Sequence, residues 1–252
     1  MNITPTVKQL LIINIIFYIG SQIVGEASYE YLSFFYFESD KFLPWQPITH
    51  LFMHAPLPNL THILFNMLAL YSFGSALEHF WGGKKFLFFY ISCGLGAALL
   101  HTLVNYYQVH DGIRLLEAAG VSPSDIQALL KDGKYNPRIL DVVPLDKLEQ
   151  AFYAYKIPAV GASGAIYGLL VAFAFMFPNA ELMLLFIPVP IKAKYFVPAL
   201  ILLDLYLGLT GKSIFGSGGG GIAHFAHIGG ALVGFLMMWT WRHNQFNRNR
   251  WD

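Results

Sequence analysis

Ser163 and His227 are the two residues of this chain whose types could carry out nucleophilic chemistry together, and both lie in long apolar stretches. A serine hydroxyl is a weak nucleophile until a neighbouring base takes its proton, and an imidazole titrates in the range that suits the task. Ser163 stands in Gly161-Ala162-Ser163-Gly164, and His227 in Ala226-His227-Ile228-Gly229-Gly230. His62 and Asn66 are spaced i and i+4, so they share one helix face, and both can donate hydrogen bonds. Acyl transfer puts negative charge on a carbonyl oxygen, and donors fixed in a water-poor site stabilise it by about 3–4 kcal/mol each. Asn66 and the backbone N–H of Ser163 suit that role, with His62 assisting. Tyr167, four residues after Ser163, falls on the same face, where its ring can stack on His227 and hold the imidazole in one orientation. Taken singly, each residue has a plainer reading: small residues pack membrane helices, polar pairs stitch them together, and aromatics fill cores.

The elements that must position these groups follow from composition. Of 252 residues, 56% are hydrophobic and 12% charged, about half the charged fraction of an ordinary soluble domain. Such a chain cannot clothe a water-facing surface, and its apolar residues fall into blocks close to the ~20 that span a hydrocarbon core. The expected fold class is all-α integral membrane: one domain over residues 1–252, with six spans at 7–24, 60–77, 86–107, 160–177, 195–210 and 222–241. The first block could instead be a signal sequence, but only Lys8 precedes its apolar run, and no clear small-residue cleavage site follows.

Orientation follows from the basic residues, which stay cytoplasmic near short loops. Lys8, Lys84, Lys85, Lys192, Lys194, Arg242, Arg248 and Arg250 fall on one side if six spans alternate, against Lys41 and Lys212 in the short loops of the other. Both termini are then cytoplasmic, and spans two, four and six run inward from the outer face. Ser163 and His227 each lie a few residues inside the outer ends of their spans, which at 1.5 Å per residue puts both within about 7 Å of that face. Gly164 and Gly168 make one small-xxx-small face and Gly230 and Gly234 another, which allows the two backbones to approach.

Two outer segments are more than connectors. Residues 25–59 carry Phe34, Phe35, Tyr36, Phe37, Phe42 and Trp45, an aromatic density suited to the membrane interface. Residues 108–158 are polar and mixed in charge, with a helix start at Ser122-Pro123-Ser124-Asp125 and with Leu145, Leu148, Phe152 and Tyr155 at helical spacing. They read as a helical extramembrane insertion between the third and fourth spans. Pro188 and Pro190 interrupt the apolar run 182–191, which reads as an interfacial loop. A net charge of +1 with no basic stripe argues against nucleic acid. The single Cys93 rules out an internal disulfide and suggests ordinary packing. A metal site built on His50, His54, His62, His224 and His227 is disfavoured, because no His-Glu-x-x-His run occurs and no intramembrane carboxylate stands at ligand spacing. Asp204, in the fifth span, reads as a paired structural carboxylate, since nothing in the sequence fixes it near His227.

Over nearly its whole length the chain resembles the rhomboid intramembrane proteases. The resemblance rests on Trp45-Gln46-Pro47-Ile48-Thr49-His50-Leu51-Phe52-Met53-His54, His62-Ile63-Leu64-Phe65-Asn66, Gly161-Ala162-Ser163-Gly164, and Ala226-His227-Ile228-Gly229-Gly230 with Gly234. It implies a six-helix bundle and an intramembrane serine endopeptidase with a Ser163–His227 dyad, no catalytic Asp, no cofactor and no metal. It further implies an oxyanion hole from His62, Asn66 and the Ser163 amide, with Tyr167 beneath the histidine. Its partners would be single-pass or polytopic membrane proteins in a lipid bilayer, and its location the bacterial inner membrane. The outer aromatic loop would lie in the membrane. The fifth helix, 195–210, with the glycine run 216–221, would gate substrate access. A non-enzymatic relative would lack Ser163 or His227, and both are present. The insertion at 108–158 departs from the short turn of many bacterial members.

Overall fold

A computed structural model describes residues 2–184, 187–211 and 222–241. The glycine run 216–221 and Lys212, Arg242, Arg248 and Arg250 lie outside the described residues. In chain order the described elements are α1 (Pro5–Val24), α2 (Glu26–Leu32), α3 (Gln46–Thr49), α4 (Leu60–Ala69), α5 (Ser75–Trp81), α6 (Gly83–Ala118), α7 (Pro123–Asp132), α8 (Leu145–Lys156), α9 (Ser163–Met176), strands β1 (Glu181–Leu184) and β2 (Ile187–Lys192), α10 (Ala193–Thr210) and α11 (Ile222–Trp241). A π-type turn, Leu70–Gly74, joins α4 to α5. The protein is predominantly helical. Four stretches, Pro5–Val24, Leu60–Trp81, Gly83–Ala118 and Ala193–Thr210, are long and apolar enough to cross a membrane, and Ser163–Met176 is a shorter apolar helix.

The core explains this arrangement better than hydropathy does. Helices α6, α9 and α11 pack at backbone distance: a Cβ on Gly230 would stand 1.8 Å from the Gly164 carbonyl oxygen, and one on Gly234 would stand 2.7 Å from Gly168 Cα. The paired small-residue faces expected from the sequence therefore meet each other. Cys93 fills the remaining space, fully buried against Gly168. At the opposite end, Glu78 closes the start of α1 by accepting from the backbone N–H groups of Thr6 (2.9 Å) and Val7 (2.8 Å) and from the Thr4 hydroxyl (2.5 Å). It thereby satisfies donors that a helix N-terminus leaves open. Lys85 lies over the Trp241 ring at the same end, 4.3 Å from its centroid.

The structure adds detail to three of the sequence expectations. Helix α6 runs without a break from Gly83 to Ala118, so residue 108 lies within a helix. Its seam with α8 is formed by Leu148, Ala151 and Ala154, while Leu145 remains 46% exposed. The reason is steric, because Ala151 sits against Gly112, where a Cβ would come within 2.4 Å of it. Within the run 182–191, residues 182–184 and 187–191 belong to a two-stranded antiparallel ribbon, with Glu181 opposite Lys192 and Leu182 opposite Ile191.

A second core is formed by Val109, Leu116, Ile126, Leu129, Leu130, Val143, Leu148, Ala151 and Ala154, closed by Tyr36 from the aromatic loop. Burial raises the Tyr36 phenol well above its ordinary range, and the nearby Glu38 adds to the effect. Lys131 reaches Asp40 at 3.0 Å, and its hydrogen bond holds that carboxyl below the usual carboxylate range. Within the loop, Phe34, Phe35 and Tyr36 turn inward and are buried, whereas Phe37 and Trp45 remain exposed.

Candidate active site

Ser163 is the first residue of α9, so the helix begins three residues after the start of the apolar block at 160. The preceding backbone has other partners: Phe34 and Ala159 exchange hydrogen bonds (2.9 and 2.8 Å), and the Gly161 N–H donates to the His50 carbonyl at 2.9 Å. Those bonds replace the helical ones that 159–162 would otherwise make. Gly161 takes φ +121°, a conformation that favours glycine, and a Cβ there would run into the His62 ring at 2.9 Å. A residue at the first helical position has no intrahelical acceptor for its amide, so the Ser163 N–H is a donor available to a ligand, at the positive end of the helix.

The Ser163 hydroxyl lies 2.9 Å from His227 Nε2. The Tyr167 and His227 rings stack with centroids 4.3 Å apart and planes 8° from parallel. This fixes the imidazole plane while leaving both nitrogens free to bond at the ring edge. On the other side of Ser163, the Ala55 N–H donates to His62 Nδ1 at 3.0 Å. In the neutral ring that contact leaves the proton on Nε2, the atom beside Gly161. His62 therefore presents a donor to the turn that ends at Ser163. Asn66 Nδ2 donates to the His62 carbonyl at 2.8 Å, which commits one of its two amide hydrogens.

Sequence reasoning left Asp204 apart from this group, and the tertiary structure brings it in. One carboxylate oxygen of Asp204 is 3.2 Å from His227 Nδ1, and the other is hydrogen-bonded to His224 Nδ1. The ligand atoms of Asp204, His224 and His227 lie within 4.8 Å of one another. An intramembrane carboxylate does therefore stand at ligand spacing from two histidines, contrary to expectation, because the partners come from different helices. A signal was available: Asp204 and Gly208 lie four residues apart on one face of α10, as His224 and His227 lie three apart on α11. A Cβ on Gly208 would meet the Phe225 ring at 3.1 Å and His224 Cβ at 3.3 Å, so these are the faces that touch.

The Trp45–His54 stretch supports the site from behind rather than reacting. Gln46, fully buried, accepts from the backbone N–H groups of Phe35 (3.3 Å) and Leu43 (3.1 Å) and donates to the carbonyls of Glu30 and Lys41, each at 3.0 Å. His50 is buried with Nδ1 2.9 Å from the Gln46 carbonyl, and burial pushes its pKa down to about 4, so it stays neutral. His54 packs beside His62 with ring centroids 5.2 Å apart, and burial lowers its pKa to about 3. Neither ring reaches the Ser163 hydroxyl.

Residues 42–244 match the model of the Rhomboid domain family. The chain is 29% identical over 206 residues to the rhomboid protease AarA of Providencia stuartii, covering 77% of this chain and 54% of that protein. It is 28% identical over 189 residues to the mitochondrial RHOMBOID-like protein 12 of Arabidopsis thaliana (74% and 43%). It is 26% identical over 178 residues to the mitochondrial Rhomboid protein 1 of Saccharomyces cerevisiae (71% and 37%). The matched stretch therefore spans about half or less of each of these relatives' own length.

Proposed function

Because the chain belongs to the rhomboid family, we propose that it is an intramembrane serine endopeptidase that hydrolyses peptide bonds in or near the transmembrane helices of membrane proteins. The observation that carries this reading is the 2.9 Å contact between the Ser163 hydroxyl and His227 Nε2. Ser163 Oγ attacks the substrate carbonyl carbon while its proton passes to Nε2, and the resulting imidazolium returns that proton to the leaving amine. The acyl-enzyme is then hydrolysed by water along the same path. Negative charge on the carbonyl oxygen is met by the Ser163 N–H, the His62 Nε2–H and the remaining Asn66 amide hydrogen, and loss of one such donor costs about 3–4 kcal/mol in rate.

The proposed architecture is a single six-helix membrane domain, with α1, α4–α5, α6, α9, α10 and α11 as spans. The loop at 25–59 is embedded in the outer leaflet, and 108–158 forms an extramembrane insertion. The shortness of α9 supports a buried site: 14 residues rise about 21 Å, less than the ~30 Å hydrocarbon core, so its Ser163 end stops inside the apolar layer. The Lys and Arg distribution supports cytoplasmic termini in a bacterial inner membrane, although several relatives are mitochondrial. Peptide hydrolysis at that depth requires a substrate helix that unwinds, because helical carbonyls are bonded and sterically closed. Preferred substrates therefore carry Gly, Pro or polar residues beside a small residue near the outer interface. We assign the insertion to recruiting or screening substrates.

The test is protein reconstituted in liposomes with a fluorogenic transmembrane substrate. Ser163→Ala and His227→Ala should each reduce cleavage to background, and an excess of chelator should leave the wild-type rate unchanged. Retention of cleavage in Ser163→Ala, or its loss with chelator, overturns the assignment. Deleting the insertion should change substrate preference but leave a folded enzyme that still cleaves some substrates.

A further inference from the structure

Asp204 and His224 lie outside the Ser163–His227 pair that the proposed function uses. We propose that they form a positioning relay for the base, in which Asp204 fixes the proton-bearing nitrogen of His227 and His224 clamps Asp204. This inference rests on the protease reading above and adds to it a third and a fourth residue.

The argument begins with hydrogen-bonding roles. Abstraction of the Ser163 proton requires His227 Nε2 to be an acceptor, so the neutral ring must carry its proton on Nδ1. Nδ1 lies 3.2 Å from Asp204 Oδ2. An ionised carboxylate can only accept, so this contact selects the Nδ1–H tautomer and leaves the Nε2 lone pair facing the hydroxyl. When His227 takes up the serine proton, the positive charge forms beside the carboxylate, which stabilises the imidazolium. Tyr167 stacking sets the plane of the ring but says nothing about which nitrogen bears hydrogen. The carboxylate supplies that second constraint.

The carboxylate is itself held. Its second oxygen is bonded to His224 Nδ1, and the Tyr167 hydroxyl faces the same carboxylate. The Asp204 side chain is only 8% exposed. An intramembrane carboxylate is costly, so one retained there with its lone pairs aimed at two imidazoles has a defined orientation rather than a solvated one. His224 and His227 are one turn apart on α11, and the close approach at Gly208 brings the Asp204 face of α10 against both. The relay therefore links α10 to the base on α11, whereas Ser163 belongs to α9.

The experiment measures kcat and KM of the reconstituted full chain for Asp204→Asn, Asp204→Glu and His224→Ala, with Ser163→Ala as the reference for no catalysis. Asparagine keeps the shape but loses the charge and the acceptor-only character. We expect kcat to fall about 10²-fold with KM within about twofold of wild type, an effect of the size produced by misplacing a catalytic group. Glutamate should recover part of that loss, and His224→Ala should lower kcat by a smaller factor, again without raising KM. Thermal unfolding in detergent separates folding from catalysis; if Asp204→Asn is unstable, the His224→Ala and Asp204→Glu kinetics decide the matter. Wild-type kcat in Asp204→Asn, with Ser163→Ala inactive, overturns the relay and leaves the protease reading intact. A rise in KM that accounts for the loss also overturns the relay. Activity in Ser163→Ala overturns both.

Discussion

The Ser163 end of the bundle and the insertion between α6 and α9 are both helical, yet different physics specifies them. In the insertion, Ser122 caps α7 by accepting the Asp125 N–H, Gly133 ends it at φ +70°, and apolar residues recur on one face of α7 and α8. These are the rules of a helix in water, where amphipathic periodicity selects the buried side. Around Ser163, apolar side chains cover every face of the helices, so periodicity selects nothing. There, close approach at Gly164, Gly168, Gly230 and Gly234 decides which faces meet. Water-soluble helices are thus oriented by what they hide, and lipid-embedded ones by what they lack.

The largest test of that contrast is Gly230→Val. The added carbon meets a backbone oxygen rather than a flexible side chain, so the destabilisation should exceed the ~1–3 kcal/mol of ordinary overpacking, with cleavage lost alongside a lower Tm in detergent. A similar Tm and rate in this variant would break the comparison. In the insertion, Leu148→Ala should cost about 2–4 kcal/mol locally, seen as faster proteolytic nicking within 108–158, while labelling of Ser163 by a fluorophosphonate stays unchanged.

Acid sharpens the contrast further. His50 has a pKa near 4 in the folded protein, below its ordinary 6.5, so between those values the unfolded chain binds the extra proton. Its contribution to stability is therefore present above about pH 6.5 and declines as pH falls towards 4, by up to about 3 kcal/mol. Tm measured from pH 7 to pH 5 should fall, and His50→Gln should flatten that slope. The smallest effect expected is at Ser122→Ala, about 1 kcal/mol from loss of the α7 cap, read as increased amide exchange confined to α7.

Much of the site was legible from residue types alone. Ser163, His227 and Tyr167 came from spacing within spans, and the structure brings them into bonding and stacking contact. The helix start at Ser122 was legible for a similar reason, since capping is local chemistry. The start of α9 was not, because the hydrogen bonds that cut it short come from Phe34 and His50, more than a hundred residues earlier in the chain.

By itself, then, the sequence determined which segments are apolar enough to enter a bilayer, which residues could serve as nucleophile, base and donors, and where small residues permit contact. Those are properties of composition and short-range periodicity. Only the tertiary structure decided that Ser163 opens its helix with a free amide, that Ala55 leaves the His62 proton on Nε2, and that Asp204 and His224 stand behind the base. Each of those depends on a hydrogen-bond partner contributed by a different element, and no spacing within one segment encodes which element will arrive there.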